Sequence, residues 1–219
     1  MTNQGYISIF GGSLLQPIAD LIDRLFSAPH PGANARQTGS RENGYSVSIC
    51  LLLAVFLESF IRRATHLSGD SLHPSEKRFT LTFLAKRYPG CDLLPAITEI
   101  FVLRDVIAHN HLWKIEYSTD LQSWGTILST ALDSSSGDSK SKNSIDLQTG
   151  TTKVLGLKVI PTKIDRSEVT KVLDAVLETL EFIDQRENNR LGVVGLRADF
   201  NGKLDLTLWE IRDQLKSHV

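Results

Sequence analysis

Tyr45-Ser46-Val47-Ser48-Ile49-Cys50-Leu51-Leu52-Leu53-Ala54-Val55-Phe56-Leu57 runs for thirteen residues without a charge, and then Glu58, Arg62 and Arg63 arrive. A membrane-crossing helix needs about 20 apolar residues. The stretch is shorter, so it reads as a helix over residues 45–67 buried in a protein core. No membrane is expected as a partner. A helix that is apolar nearly all round demands other helices to cover it.

The flanking sequence supplies them. Ser13, followed by Gln16, resembles a capping box, and Leu14, Ile18, Leu21, Ile22, Leu25 and Phe26 recur at helical spacing. Residues 27–44 are rich in Pro, Gly, Asn and Ser and read as a loop. Further helices are expected over 75–88, stopped by Pro89-Gly90, and over 93–109, with Pro95 in the first turn where its missing N–H costs little. Val169, Val172, Leu173, Val176, Leu177, Leu180 and Ile183 make an apolar stripe on a helix over 167–186. The charged run 181–190 reads as its solvated end.

Between these helices the pattern changes. Residues 112–117, 126–132 and 154–159 read as strands, and the Ser-, Asp- and Lys-rich stretch 133–150 reads as an exposed or disordered loop. Asn201-Gly202 offers a hairpin turn followed by alternating Leu204, Leu206 and Leu208, and 208–217 retains helical character. The expected fold is mainly α: one domain over 1–219. Its core helices lie in 13–111 and 167–187, a small β insertion in 112–160, and a C-terminal hairpin extension in 191–219. With 41% hydrophobic and 22% charged residues, wholesale disorder is excluded. Net charge is −1, so any nucleic-acid binding must come from a local patch. Cys50 and Cys91 form no metal-type spacing and read as reduced thiols of a cytoplasmic protein.

No Walker loop, GxGxxG, HExxH or GxSxG occurs. Chemistry concentrates instead in Leu103-Arg104-Asp105-Val106-Ile107-Ala108-His109-Asn110-His111, at the end of an apolar helix. Asp105 and His109 are four residues apart and share a helix face, whereas Arg104 and His109 are about 140° apart. His111 returns to the Arg104 stripe if the helix continues that far. Two other Arg-His pairs of similar spacing, Arg24 with His30 and Arg212 with His218, lack a catalytic setting: prolines flank His30, and His218, as the penultimate residue, is expected to fray. His109 and His111 would supply only two ligands, half of a metal site that needs three or four. No matching Cys, His or carboxylate pair is evident, so no metal or other cofactor is expected. Trp113, Trp124 and Trp209 read as packing anchors.

The segment from Arg104 to His109 resembles the R-x(4-6)-H signature of HEPN domains, helical bundles that include metal-independent endoribonucleases of toxin–antitoxin and antiviral systems. Asp105 stands where the family carries a polar residue, and Ala108 before His109 is similar. Leu57-Glu58-Ser59-Phe60-Ile61-Arg62 resembles the family's earlier helix, and the stripe after Ser167 a closing bundle helix. The resemblance covers about 45–111 and 167–186. It implies an up-and-down helical bundle, a homodimer that joins two motifs across one cleft, and RNA cleavage through the 2′-OH. Arg104 and His109 would be catalytic with Asp105 orienting the histidine, and Asn110 and His111 would support them. Arg62, Arg63, Lys77, Arg78, Lys86 and Arg87 would form a weak RNA track.

Two alternatives belong to other classes. One is a catalytically silent HEPN scaffold or partner of a nucleotidyltransferase-type antitoxin. The other is an unrelated helical regulator whose β segment binds a ligand.

Overall fold

The computed structural model describes residues 10–30, 37–68, 73, 79–109, 113–120, 122, 127–132 and 139–217. Seven α-helices lie among them: α1 Leu15–Phe26, α2 Ser40–Leu67, α3 Thr80–Arg87, α4 Leu94–His109, α5 Ser139–Ser144, α6 Arg166–Arg186 and α7 Leu208–Lys216. Three small antiparallel pairs accompany them: β1 Trp113–Tyr117 with β2 Ile127–Leu132, β3 Ile145–Asp146 with β4 Thr151–Thr152, and β5 Arg197–Phe200 with β6 Lys203–Thr207.

The fold is mainly helical, as expected, and α2 is its axis. Ile49, Leu53, Phe56, Leu57, Phe60 and Ile61 are fully enclosed, and α1, α4 and α6 pack around them. By length and composition α2 also qualifies as a membrane-crossing helix; half of its most apolar window is buried in the bundle. The α6 stripe is buried as read, from Val169 to Ile183. Each large side chain so enclosed stabilises the fold by about 1.5–3 kcal/mol.

Several boundaries move, each for a physical reason. Helix α2 begins at Ser40, five residues before the expected start. Its polar first turn is held from outside: Asn43 Nδ2 donates to the Pro161 and Ile164 carbonyls at 2.8 and 2.9 Å. Glu42, fully buried, accepts from Arg166 Nε at 2.8 Å and lies 3.0 Å from His30 Nδ1. Tertiary anchors there override weak helix propensity.

Ser13 is not an N-cap. It belongs to a 3-10 turn, Phe10–Leu14, and α1 follows from Leu14 with no side-chain cap. The turn lies so close to α2 that Gly11 N–H donates to Ser59 Oγ at 2.9 Å, and a Cβ on Gly11 would meet Ser59 Cβ at 2.8 Å. Gln16 instead pairs with the backbone of Asp199 in β5, both ways at 2.9 Å, and Phe26 meets Phe200 edge to face. Helix α3 is described over Thr80–Arg87, with Phe79 extended before it; residues 74–78, where the expected helix starts, lie outside the described residues.

The expected loop 133–150 is corrected where it is described. Residues 139–144 are helical, Ile145 is 3% exposed, and Asp146 closes a turn by accepting from the Gln148 and Gly150 amides at 2.9 Å each. One buried isoleucine and a satisfied turn organise a stretch whose composition looks disordered. Residues 133–138 lie outside the described residues.

The expected strand 154–159 is also corrected. Leu157 and Val159 are buried, but the backbone makes only the isolated bridge between Thr151 and Lys158. Glu99 takes the Val154 and Leu155 amides at 2.7 Å each, and Gly156 turns at φ +60°. At the other end of the chain the Asn201-Gly202 turn forms at φ 50° and 72° as read, while Leu204 is 77% exposed and α7 starts at Leu208. The end of α6 is not fully solvated, because Asp184 and Glu187 are each 4% exposed.

The Glu42–Arg166 pair joins the first turns of α2 and α6. Removing one partner of a buried pair strands the other charge, which costs about 3–5 kcal/mol. Arg166→Met is therefore expected to lower unfolding free energy by about 3 kcal/mol in urea titration, and Glu42→Gln in the same background to recover part of it. A loss below about 1 kcal/mol would show the pair to be dispensable.

A second charged group caps α6. Burial opposes ionisation of Asp165, but hydrogen bonds from Lys158, Glu168 and Ser167 outweigh it and hold its pKa at about 2. Because the folded value lies below the unfolded one, its stabilisation is present above about pH 4 and is lost as pH falls toward 2. Burial, with Asp165 beside it, pushes Glu168 upward and gives the opposite slope. The stability difference between wild type and Asp165→Asn should shrink as urea titrations are moved from pH 5 to pH 2.

Candidate functional site

Helix α4 is almost wholly buried until its last two turns. Ile97, Ile100, Val102, Leu103 and Val106 lie inside, and the next positions around the helix are Arg104, Asp105, Ala108 and His109. The guanidinium of Arg104 sits over the Phe101 ring with 5.0 Å to its centroid, which fixes its stem against an apolar platform. Its Nε and one terminal nitrogen donate to Asp105 Oδ1 at 3.0 and 2.8 Å. The other terminal nitrogen donates to Glu58 Oε2 of α2 at 2.9 Å. Three of its five N–H donors are so committed.

Glu58 is the center of the cluster. It also accepts from Thr80 Oγ1, at the start of α3, at 3.1 Å, and Arg62 one turn along α2 is 3.7 Å away. Three helices thus meet on one carboxylate. The Arg104, Glu58 and Asp105 side chains are 29, 33 and 25% exposed, so the cluster lies at the solvent edge rather than in the core. Among the described residues its two cations, Arg104 and Arg62, face two anions, Glu58 and Asp105, so an incoming phosphate would have to share or release their donors.

Glu58 was not among the residues that sequence reading selected as functional. The signal was present: it is the first charge after the uncharged run of α2, and helical spacing puts it on the outward stripe with Leu51, Val55 and Arg62. Sequence could not show that this stripe faces Arg104, 46 residues away.

His109 is exposed and is the last residue of α4, one turn past Asp105; β1 starts at Trp113. Asn110 and His111 lie outside the described residues, as do Lys77 and Arg78. The remaining basic residues diverge. Arg62 faces Glu58. Arg63 donates to the Arg190 carbonyl at 3.3 Å, and Arg87 binds Glu187 at 3.0 Å, beside the Tyr88 hydroxyl that donates to the same carboxylate at 2.7 Å. Arg63 and Arg87 are therefore tied to the end of α6, and Lys86 is exposed.

Two further polar groupings are structural by their contacts. Burial, with Glu168 and Asp165 nearby, pushes the Cys50 thiol upward, which keeps it protonated and unreactive. Lys158, Asp165 and Glu168 form the α6 cap already described. Among the described residues, no group of three or more His, Cys, Asp and Glu is placed to hold a metal.

Comparison of the chain with family models, curated proteins and solved structures finds no match.

Half-exposed ion pairs contribute about 0–1 kcal/mol. Arg104→Ala is therefore expected to lower unfolding free energy by about 1 kcal/mol or less in chemical denaturation. A drop above about 3 kcal/mol would make the cluster a structural clamp rather than a binding group.

Proposed function

We propose that the protein is a HEPN-type, metal-independent endoribonuclease that acts as a homodimer in the cytoplasm, as a toxin or an antiviral effector. The observation that carries this reading is the Arg104 cluster. An arginine is held at the solvent edge by Glu58 and Asp105, one to two turns before a histidine that ends the same helix.

Cleavage without metal uses the 2′-OH as nucleophile. The 2′-oxygen bonds to the adjacent phosphorus as a base takes its proton, and the 5′-oxygen leaves with a proton from an acid. The products are a 2′,3′-cyclic phosphate and a 5′-hydroxyl. Histidine suits the proton transfers. Arginine suits the phosphorane, because its planar fork matches two phosphate oxygens. His109 takes the first role and Arg104 the second. Asp105, on the same face, orients His109, while Asn110 donates to phosphate and His111 supports the cleft.

The dimer brings Arg104 of one subunit to His109 of the other, which relieves their 140° separation on one helix. Support for an interface on this face comes from α2, where Val55 is 41% exposed and Leu51 half-buried in the turns leading to Glu58. The basic track is proposed in reduced form, from Arg62 and Lys86 with Lys77 and Arg78.

A specific observation favours one alternative, the catalytically silent scaffold or antitoxin partner. Arg104 already has two carboxylates within its own chain, and a guanidinium so neutralised binds phosphate poorly. Purified protein should cleave total RNA in EDTA and leave cyclic-phosphate ends. Arg104→Ala and His109→Ala should each lower the rate by about 100-fold or more. Wild type that is inert, or indistinguishable from both variants, would leave the silent reading standing.

A further inference from the structure

Strand β1 begins four residues after His109 ends α4, and it forms a two-stranded ribbon with β2. Among the described residues, β1 and β2 pack on each other and make no more than marginal contact with any other element. A two-stranded ribbon standing off a core is barely stable in water, whereas three or more strands, or a covering helix, give a sheet stability of its own. The outer edge of such a ribbon is a template for a further strand.

The two edges of the ribbon differ. Trp113, Lys114, Ile115 and Glu116 pair in step with Leu132, Ala131, Thr130 and Ser129, and then Tyr117 pairs with Ile127. The extra residue, Leu128, therefore belongs to β2. A bulge bends its own strand and interrupts the ladder, which blunts that edge. Strand β1 stays regular from Trp113 to Tyr117.

The charges of β1 are placed for a partner of the same sequence. Lys114 and Glu116 are two residues apart, so they share a face of the strand, and both are exposed. A second copy laid antiparallel along β1 pairs residues of the same face. With the twofold axis at Ile115, Lys114 stands opposite Glu116 of the partner subunit, Glu116 opposite Lys114 of the partner subunit, and all five residues are paired. With the axis at residue 114 or 116, like charges stand face to face and the ladder is shorter. Parallel pairing in register also opposes like charges. Opposite charges directly across a strand pair attract and like charges repel, so one register is selected. Charge on an edge commonly wards off other strands. A lysine and a glutamate set symmetrically about a midpoint do so for most strands and admit a copy of their own.

We propose that the outer edge of β1 is a self-association surface: two copies of the chain pair antiparallel about Ile115 and build a four-stranded sheet in the order β2, β1, β1, β2. The contact is isologous, the same five residues meeting from both sides. It is separate from the Arg104 cluster and stands whether or not that cluster cleaves RNA.

The test is sedimentation equilibrium of the full chain over about 1–200 µM, a range suited to a short interface. A reversible dimer is expected. Lys114→Glu and Glu116→Lys should each raise its dissociation constant by at least about tenfold, because each turns both attractive pairs into like-charge pairs. The double variant, Lys114→Glu with Glu116→Lys, should associate as wild type does. An equimolar mixture of the two single variants should form a heterodimer at concentrations where neither associates alone. That mixture separates pairing between chains from any effect within one ribbon. Melting temperatures check that the variants fold. If a charge reversal unfolds the chain, Lys114→Gln and Glu116→Gln decide, each expected to weaken association by at least about threefold. A monomer at every concentration, a dimer indifferent to the folded variants, or a mixture no more associated than its components would overturn the proposal. A dimer indifferent to them would leave the α2 face as the interface.

Discussion

Thirteen consecutive uncharged residues in α2 must be withdrawn from water, and the rest of the molecule is arranged to do it. No single partner helix can cover a helix that is apolar on most of its circumference. Helices α1, α4 and α6 therefore pack around α2, and the chain, after α4, returns to it again through α6, which starts 99 positions after α2 ends at Leu67. That return is also where charge enters the interior. Glu42 and Arg166 open their respective helices side by side, with His30 on the same carboxylate. The apolar seam supplies the driving force, whereas the buried pair fixes which ends of α2 and α6 lie together. Such a pair contributes less to net stability than to register, since its Coulomb attraction is offset by desolvation.

The same burial exposes the candidate site. Among the described residues, a stripe of α2 that carries Leu51, Val55, Glu58 and Arg62 is left partly uncovered. Helix α4 packs beside it with its own uncovered positions at Arg104, Asp105 and His109. The charged cluster is thus the polar continuation of an apolar strip. An arginine laid across an aromatic ring and gripped by two carboxylates is restricted to one orientation, which suits recognition of an oxyanion. It is also electrically quiet, which suits a site that must not bind nucleic acid without a competing partner. Both properties come from one arrangement, and the proposed nuclease needs the first to outweigh the second.

Much of this was legible in the sequence where periodicity is strong and local. The stripe from Val169 to Ile183 and the α4 pattern ending at His109 fell where spacing puts them, and the Asn201-Gly202 turn formed as its backbone preference dictates. Failures occurred where a distant group took over a local preference. Gln16 looked like a capping residue and instead pairs with the backbone of β5. Val154 and Leu155 looked like strand and instead give their amides to Glu99, 55 and 56 residues earlier. The Ser- and Lys-rich stretch after 139 looked disordered, yet Ile145 and the Asp146 turn suffice to seat it. In the charged cluster, the neighbours Arg104 and Asp105 were readable from a nine-residue segment. Glu58 was not, because its role depends on the packing of two helices rather than on spacing within one.

The contact between Gln16 and Asp199, with Phe26 on Phe200, joins residues more than 170 positions apart. On the ribosome the β5 strand is made long after α1. At synthesis rates of about 5–20 residues per second the interval is roughly 10–40 s. During that time α1 can lie against α2, but the side of it that receives β5 stays wet. That flank is closed by a portion made well after it, like a clasp fastened late. A released chain cut short before residue 197 would hold the apolar seam of α1, α2, α4 and α6 with an unsealed flank, the kind of surface that holdase chaperones occupy. For this fold the time of vulnerability is set by translation as well as by the intrinsic folding rate.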